Sequence, residues 1–88
     1  MGDAKLISFI ARSKRRLEVL KLLFEKERSQ TELMRLTQMY KGHTARTIKE
    51  LSEKKLIICS NPEDRVFRFY KINKLGKNIL KDIDKIIL

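Results

Sequence analysis

Between Ser29 and Leu56 the chain reads SQTELMRLTQMYKGHTARTIKELSEKKL, and this stretch limits the possible folds more than any other. Ser29 followed by Glu32 fits a capping box, in which hydroxyl and carboxylate each satisfy a backbone N–H at a helix start. Leu33 and Leu36 supply an inward stripe, with Met34 beside it. Met39, Tyr40, Lys41 and Gly42 then interrupt, and Gly42 permits a backbone angle that other residues resist. A longer helix follows from about His43 to Lys55. Ile48 and Leu51 fix its buried side, with Thr44 and Lys55 near the same direction. At about 100° per residue, Arg46, Lys49, Glu50 and Glu53 face outward, and His43, Ala45 and Thr47 lie toward the flanks. Two helices joined this closely read as a helix-turn-helix, and the rest of the chain reads as its support.

That support begins at the front. Leu6, Phe9 and Ile10 fall on one helical face, with Ile7 beside them. Ser13 can cap a helix from about Lys14 to Glu27. Leu17, Leu20 and Phe24 share a face of that helix, Leu23 widens it, and Val19 and Leu22 point elsewhere. So broad an apolar surface predicts burial on more than one side, under the C-terminal helix or a second subunit. Arg12, Lys14, Arg15 and Arg16 crowd its start and oppose the helix dipole. Compensation is expected from phosphate, from a neighbour's acidic groups or from solvent.

Beyond the second helix of the pair, Leu56 to Ser60 is rich in β-formers. Asn61-Pro62-Glu63-Asp64 is a turn, and Arg65 to Ile72 is a returning strand, so the two make a hairpin. Tyr70 and Ile72 are expected toward the core, which leaves Phe67 and Phe69 partly exposed, packed within the hairpin or on a partner. Asn73 can cap a last helix over about 73–88. Its stripe is Leu75, Ile79, Ile83, Ile86 and Ile87, with Leu80 beside it. The stripe runs past what a small domain covers, so it is read as one half of a dimer seam, against its own copy or the first helix.

Composition narrows the partners. The 88 residues allow one domain with one modest core. Lys and Arg number 21 against 11 Asp and Glu, a net charge of +10 that attracts a polyanion, with nucleic acid ahead of an anionic membrane. The charge is not a tail, since residues 1–44 carry ten basic and five acidic groups and residues 45–88 carry eleven and six. Cys59 stands alone, so no internal disulfide forms and nothing implies secretion. No apolar run approaches the roughly 20 residues of a membrane span, and the first residues fit neither a signal peptide nor a myristoylation pattern. A cytoplasmic, nucleoid-associated location is the expectation.

The order helix, helix, helix, strand, strand, helix describes an α+β, mainly α, winged helix-turn-helix. It has a three-helix core, a two-stranded β-wing and a C-terminal helix, in a single domain over 1–88. The sequence resembles small archaeal winged-helix transcription regulators of the broad ArsR/MarR type. The resemblance spans about residues 12–80 and rests on SKRRLEVLKLLFE, SQTELMRLTQMY, HTARTIKELSEKKLI and FRFYKINKLGKNIL. Two departures stand out: Lys55 occupies a position that is often glycine in the family, and Thr37 one that is often leucine. Metal sensing is not carried over, because Cys59 and His43 are too few for a tetrahedral site.

The resemblance implies sequence-specific binding of double-stranded DNA as a transcription regulator, with the 43–55 helix in the major groove. The candidate contacts are His43, Thr44, Arg46, Thr47 and Lys49. Arg46 suits a guanine edge, which an arginine meets bidentately. Lys41 would grip phosphate, and Arg65 and Arg68 on the wing would reach backbone or minor groove. Glu50 and Glu53 belong to the end that leaves the groove. The expected assembly is a homodimer, with no cofactor, metal or membrane. Two other readings remain: a winged-helix protein–protein assembly module, and a non-specific archaeal chromatin-type protein. An enzyme is not expected, since the single histidine has no partner base or nucleophile and no phosphate-cradling loop is present.

Overall fold

A computed structural model describes residues 3–87, and the side chains of residues 4–85. In chain order the elements are α1 (Asp3–Ala11), α2 (Lys14–Glu25), β1 (Arg28–Ser29), α3 (Gln30–Thr37), α4 (Lys41–Glu53), β2 (Ile57–Cys59), β3 (Phe69–Ile72) and α5 (Lys74–Ile87). This is the winged helix-turn-helix expected from the sequence, with α3 and α4 as the paired helices and β2–β3 as the wing.

The helix starts follow their caps. The Ser13 hydroxyl accepts from the Arg16 amide, and Ser29 and Glu32 form the reciprocal box. Asn73 Oδ1 accepts from the Gly76 amide at 2.8 Å. The turn between α3 and α4 is built differently from expectation. Gln38, not Gly42, takes the left-handed backbone, at φ 59°. Thr37 is buried there; its hydroxyl donates to the Leu33 carbonyl at 2.6 Å and accepts from the Met39 amide. A leucine would leave that amide unpaired. Gly42 lies inside α4, which starts two residues earlier than the sequence suggested.

Helix α4 ends in a Schellman motif. Lys55 is left-handed at φ 60°, its amide donates to the Ser52 carbonyl, and the Leu56 amide donates to the Leu51 carbonyl. The side chains of Leu51 and Leu56 are fully buried beneath it. Asn73 closes the same junction, its Nδ2 donating to the Lys55 carbonyl and its backbone N–H to that of Leu56.

The sheet has the order β1-β3-β2, both pairings antiparallel. Ile57 opposes Ile72 and Cys59 opposes Tyr70 on one side; Arg28 opposes Tyr70 on the other. Tyr70 and Ile72 face the core, as their alternation required. The third strand, β1, is only 2 residues long and carries no period that a sequence could show. Arg28 within it is buried, donating to the Leu22 carbonyl at 2.9 Å and pairing with Glu25 at 2.7 Å.

The apolar face of α2 is turned by about one residue from its expected direction. Val19, Leu20 and Leu23 are buried and Phe24 is exposed, because α3, α4, α5 and β3 all pack against that other side. Leu36 of α3 is likewise exposed while Leu33 is buried. Part of the expected dimer seam is covered within the chain. Ile79 and Ile83 of α5 are 0% and 1% exposed within the single chain, since α1 lies over them. Leu75 is half-buried against the same core, and the side chains of Ile86 and Ile87 lie outside the described residues.

Two glycines and Lys55 separate steric need from choice. A Cβ on Gly76 would collide with the Leu56 carbonyl oxygen and stand 2.6 Å from Ile72 Cγ1, whereas one on Gly42 meets nothing within 4 Å. Gly76→Ala is therefore expected to destabilise by roughly 2–3 kcal/mol, and Gly42→Ala to be neutral or mildly stabilising. Lys55→Gly, which relieves the left-handed strain, should add up to about 1 kcal/mol. Urea unfolding of the three variants checks the order.

Candidate nucleic-acid interface

Helix α4 buries Thr44, Thr47, Ile48 and Leu51. Its opposite face therefore carries Gly42, Ala45, Arg46, Lys49 and Glu53, with Lys41 and His43 at the front, all of them exposed. Two of the sequence candidates drop out. Thr44 and Thr47 are 0% and 2% exposed, and their hydroxyls donate back to the carbonyls of Tyr40 (3.0 Å) and His43 (2.9 Å). They hold the helix down and have no free group for a base edge.

Glu50 also stands elsewhere than expected. It turns off the outer face and accepts from Arg16 of α2 at both oxygens, from Nε at 3.2 Å and from Nη2 at 3.1 Å. The same guanidinium donates to the Phe9 carbonyl at 3.0 Å and lies 3.9 Å over the Phe9 ring. Arg15 pairs with Glu18 and reaches the Thr37 carbonyl. Two of the cations crowded at the start of α2 are thus answered by protein groups. The hydrogen bonds from Arg16, followed by its charge and those of Arg46 and His43, hold the Glu50 carboxyl below the usual glutamate range.

The front of α4 is open. Tyr40 occupies its N-cap position with no side-chain hydrogen bond, and its own side chain is 88% exposed. The first-turn amides and the positive end of the helix dipole thus face outward beside Lys41, a setting that favours an anionic oxygen. Sequence reasoning passed over Tyr40 as part of the turn. The signal was available, because Ser13, Ser29 and Asn73 stand before α2, α3 and α5 while a tyrosine stands here.

The wing brings one of its two arginines to this face. A cleft of about 530 Å³ runs between α4 and the wing, with Ala45, Lys49 and Ser52 on one wall and Pro62 and Arg68 on the other. Arg65 lies away from it, on a smaller groove with Ser29, Gln30 and Thr31. The wing loop is held by side chains in place of a longer ladder. Asn61 Oδ1 accepts from the Phe69 amide, Asn61 Nδ2 donates to the Phe67 carbonyl, and Asp64 accepts from the Val66 and Phe67 amides. Those bonds compete with strand pairing and explain why β3 begins at Phe69 and not at Arg65. The two amides, then Arg68, hold the Asp64 carboxyl below its usual range.

With this geometry in view, the chain can be set beside known structures. No protein-family model matches it, and no curated protein does. Among solved structures it is similar to the transcriptional regulator Tm0710 from Thermotoga maritima (TM-score 0.78, 18% identity, 94% of this chain and 60% of that one). It is also similar to the transcriptional regulator BldR from Sulfolobus solfataricus (0.75, 20%, 85% and 55%). A third is the adhesin competence repressor from Streptococcus pyogenes (0.72, 16%, 84% and 56%). The chain thus spans little more than half the length of these regulators. At such identities the likeness is one of fold, and the neighbours are regulators, not enzymes. They come from bacteria as well as an archaeon, so the archaeal part of the sequence resemblance is not carried by them. Among the described residues no helix is long and apolar enough to cross a membrane, and no cluster of three or more His, Cys, Asp or Glu could hold a metal ion.

The Arg16–Glu50 pair has a pH signature. A carboxyl whose folded value is depressed stabilises above its unfolded value and loses that stability as pH falls through the folded one. Glu50→Gln should be less stable than the parent at neutral pH, by about 1 kcal/mol for a partly exposed pair. The gap should close as pH drops below the ordinary value of 4.5. Urea midpoints measured across that range test it; a gap that stays constant would show that the charge of Glu50 contributes nothing.

Proposed function

We propose that the chain is a sequence-specific double-stranded DNA-binding transcription regulator. Helix α4 enters the major groove and the wing lies on the backbone beside it. One observation carries this reading: among the described residues, the outer face of α4 is basic and makes no ion pair. Lys41, His43, Arg46 and Lys49 are exposed, and the nearest acidic side chain, Glu50, is drawn back to Arg16. Glu53, at the far end, is where α4 would leave the groove. The winged-helix fold, and the description of its structural neighbours as regulators, support the same role. In this reading Arg46 meets a base edge, Lys41 and the open α4 N-terminus hold phosphate, and Lys49 and Arg68 grip the strand that runs between helix and wing. His43 flanks the helix front, and Arg65 reaches the backbone further along. The cytoplasm, on the nucleoid, is the location this role requires.

Pairing of two copies on a roughly two-fold site is part of the proposal. Ile79 and Ile83, two of the residues expected in its seam, are buried within the single chain. Sedimentation at several concentrations, with and without duplex, tests this half separately.

For DNA binding itself, affinity should fall steeply with salt as counterions are released. Arg46→Ala should relax base preference at one position, at a cost of about 1–3 kcal/mol on the preferred site. Lys41→Ala should weaken all duplexes about equally and reduce the salt slope by about one. Selection from a random duplex pool, followed by titration of both variants, checks this; affinity that is flat with salt would remove the electrostatic basis.

A further inference from the structure

Two large apolar side chains at the tip of the wing stand in solvent. Val66 is 76% exposed and Phe67 69%. Floppy loops often expose such residues, but this loop is braced. The Phe67 amide donates to Asp64 at 2.8 Å, its carbonyl accepts from Asn61 at 2.7 Å, and the Val66 amide donates to the same Asp64 oxygen at 2.8 Å. The Asp64 amide closes the turn on the Asn61 carbonyl, and Arg68 Nε reaches back to the Asp64 carbonyl. The backbone on both sides of the Phe67 side chain is therefore fixed while the ring remains outside. Fixing an aromatic in water gains the fold nothing from burial.

The surroundings select the partner. Arg65 and Arg68 flank the pair and are exposed; of the two acids in the preceding turn, Asp64 is engaged by backbone amides and Glu63 points into solvent further from the pair in sequence. An apolar tip between two guanidinium groups matches a minor groove. There arginine meets the negative potential, and an apolar side chain can slip between base steps and kink the duplex. Arg68 lines the cleft opposite Lys49, so the strand that carries the tip borders the α4 face, while Val66 and Phe67 themselves border a groove with Ser29, Gln30 and Thr31 at the start of α3.

We propose that Val66 and Phe67 form a wedge that partly unstacks a base step in the minor groove next to the α4 contact. This rests on the reading of the chain as a duplex-binding protein. Phe67 is the inserting residue and Val66 its shoulder. Flexible pyrimidine–purine steps such as TA open most easily, so the wedge would also add sequence preference at a place without hydrogen-bonded readout.

The test uses the full chain and short TA-rich duplexes carrying 2-aminopurine at successive steps, with dyes at the duplex ends. Binding should raise the 2-aminopurine fluorescence at one step and shorten the end-to-end distance, by a bend on the order of 20° or more. Phe67→Ala should abolish both signals and weaken binding about tenfold, within the range for loss of one base-stacking aromatic. It should leave the salt slope and the melting temperature unchanged, as the ring touches no phosphate and is not part of the core. Phe67→Leu should retain part of the fluorescence rise. Lys49→Ala should do the reverse of Phe67→Ala, lowering the salt slope and keeping the fluorescence rise. If the parent binds duplex without unstacking or bending, or if Phe67→Ala binds like the parent, the wedge is overturned and the DNA reading stands. If the parent binds no duplex, both fall. Loss of binding by Phe67→Ala to anionic phospholipid vesicles, with duplex binding intact, would assign the tip to a membrane surface and overturn the wedge.

Discussion

The guanidinium of Arg16 determines how α4 is presented. It is held over the Phe9 ring and bonded to the Phe9 carbonyl, so α1 fixes its position. From there it takes both oxygens of Glu50, so α4 can rotate about its axis only by breaking two charged hydrogen bonds. The pair is partly exposed and contributes modestly to stability, about 1 kcal/mol. Its larger effect is on the sign of a surface. With Glu50 facing outward, the middle of α4 would place a carboxylate beside Arg46 and Lys49. Turned inward, it neutralises a cation that would otherwise oppose the dipole of α2 and leaves the outer face of α4 basic.

A second junction fixes the wing. The left-handed Lys55 reverses the chain after α4, Asn73 bonds its carbonyl while capping α5, and the absence of a side chain at Gly76 lets α5 approach the Leu56 carbonyl. Helix, wing and last helix thus meet around one turn of backbone. The wing strands leave from that turn, so their angle to α4, and the cleft between Lys49 and Arg68, are set by the same contacts. A lysine in a left-handed conformation at that position costs about 1 kcal/mol, which the buried pair Leu51 and Leu56 readily offsets.

The parts of this structure legible in the sequence were those encoded locally. The serine and asparagine caps, the Asn61–Asp64 turn and the alternation that buries Tyr70 and Ile72 each depend on residues within a few positions, and each stands as read. What was missed depends on rotation and on contacts distant in sequence. Val19 and Phe24 exchange roles because α2 is packed on several sides, and a stripe of leucines does not say which side is covered most. The two-residue strand β1 exists only because β3 passes beside it. Glu50 shows its inward direction only once Arg16 is placed. The apolar stripe of α5 looked unpartnered because α1, its cover, lies at the other end of the sequence.

The candidate site divides in the same way. Its composition was readable: Arg46 and Lys49 are exposed on the helix face where they were expected, Lys41 and His43 are exposed at its front, Lys41 inside the helix and not before it, and Arg65 and Arg68 are exposed on the wing. Thr44 and Thr47 illustrate the limit. A threonine suits a base edge and equally suits the inner side of a helix, where its hydroxyl bonds the carbonyl four residues back. One face or the other is chosen by the phase of the whole helix, and in α4 that phase is anchored by Ile48 and Leu51 on the inside and by Arg16 at the flank. Side-chain chemistry therefore names what a surface can recognise, while packing decides which of those side chains reach it.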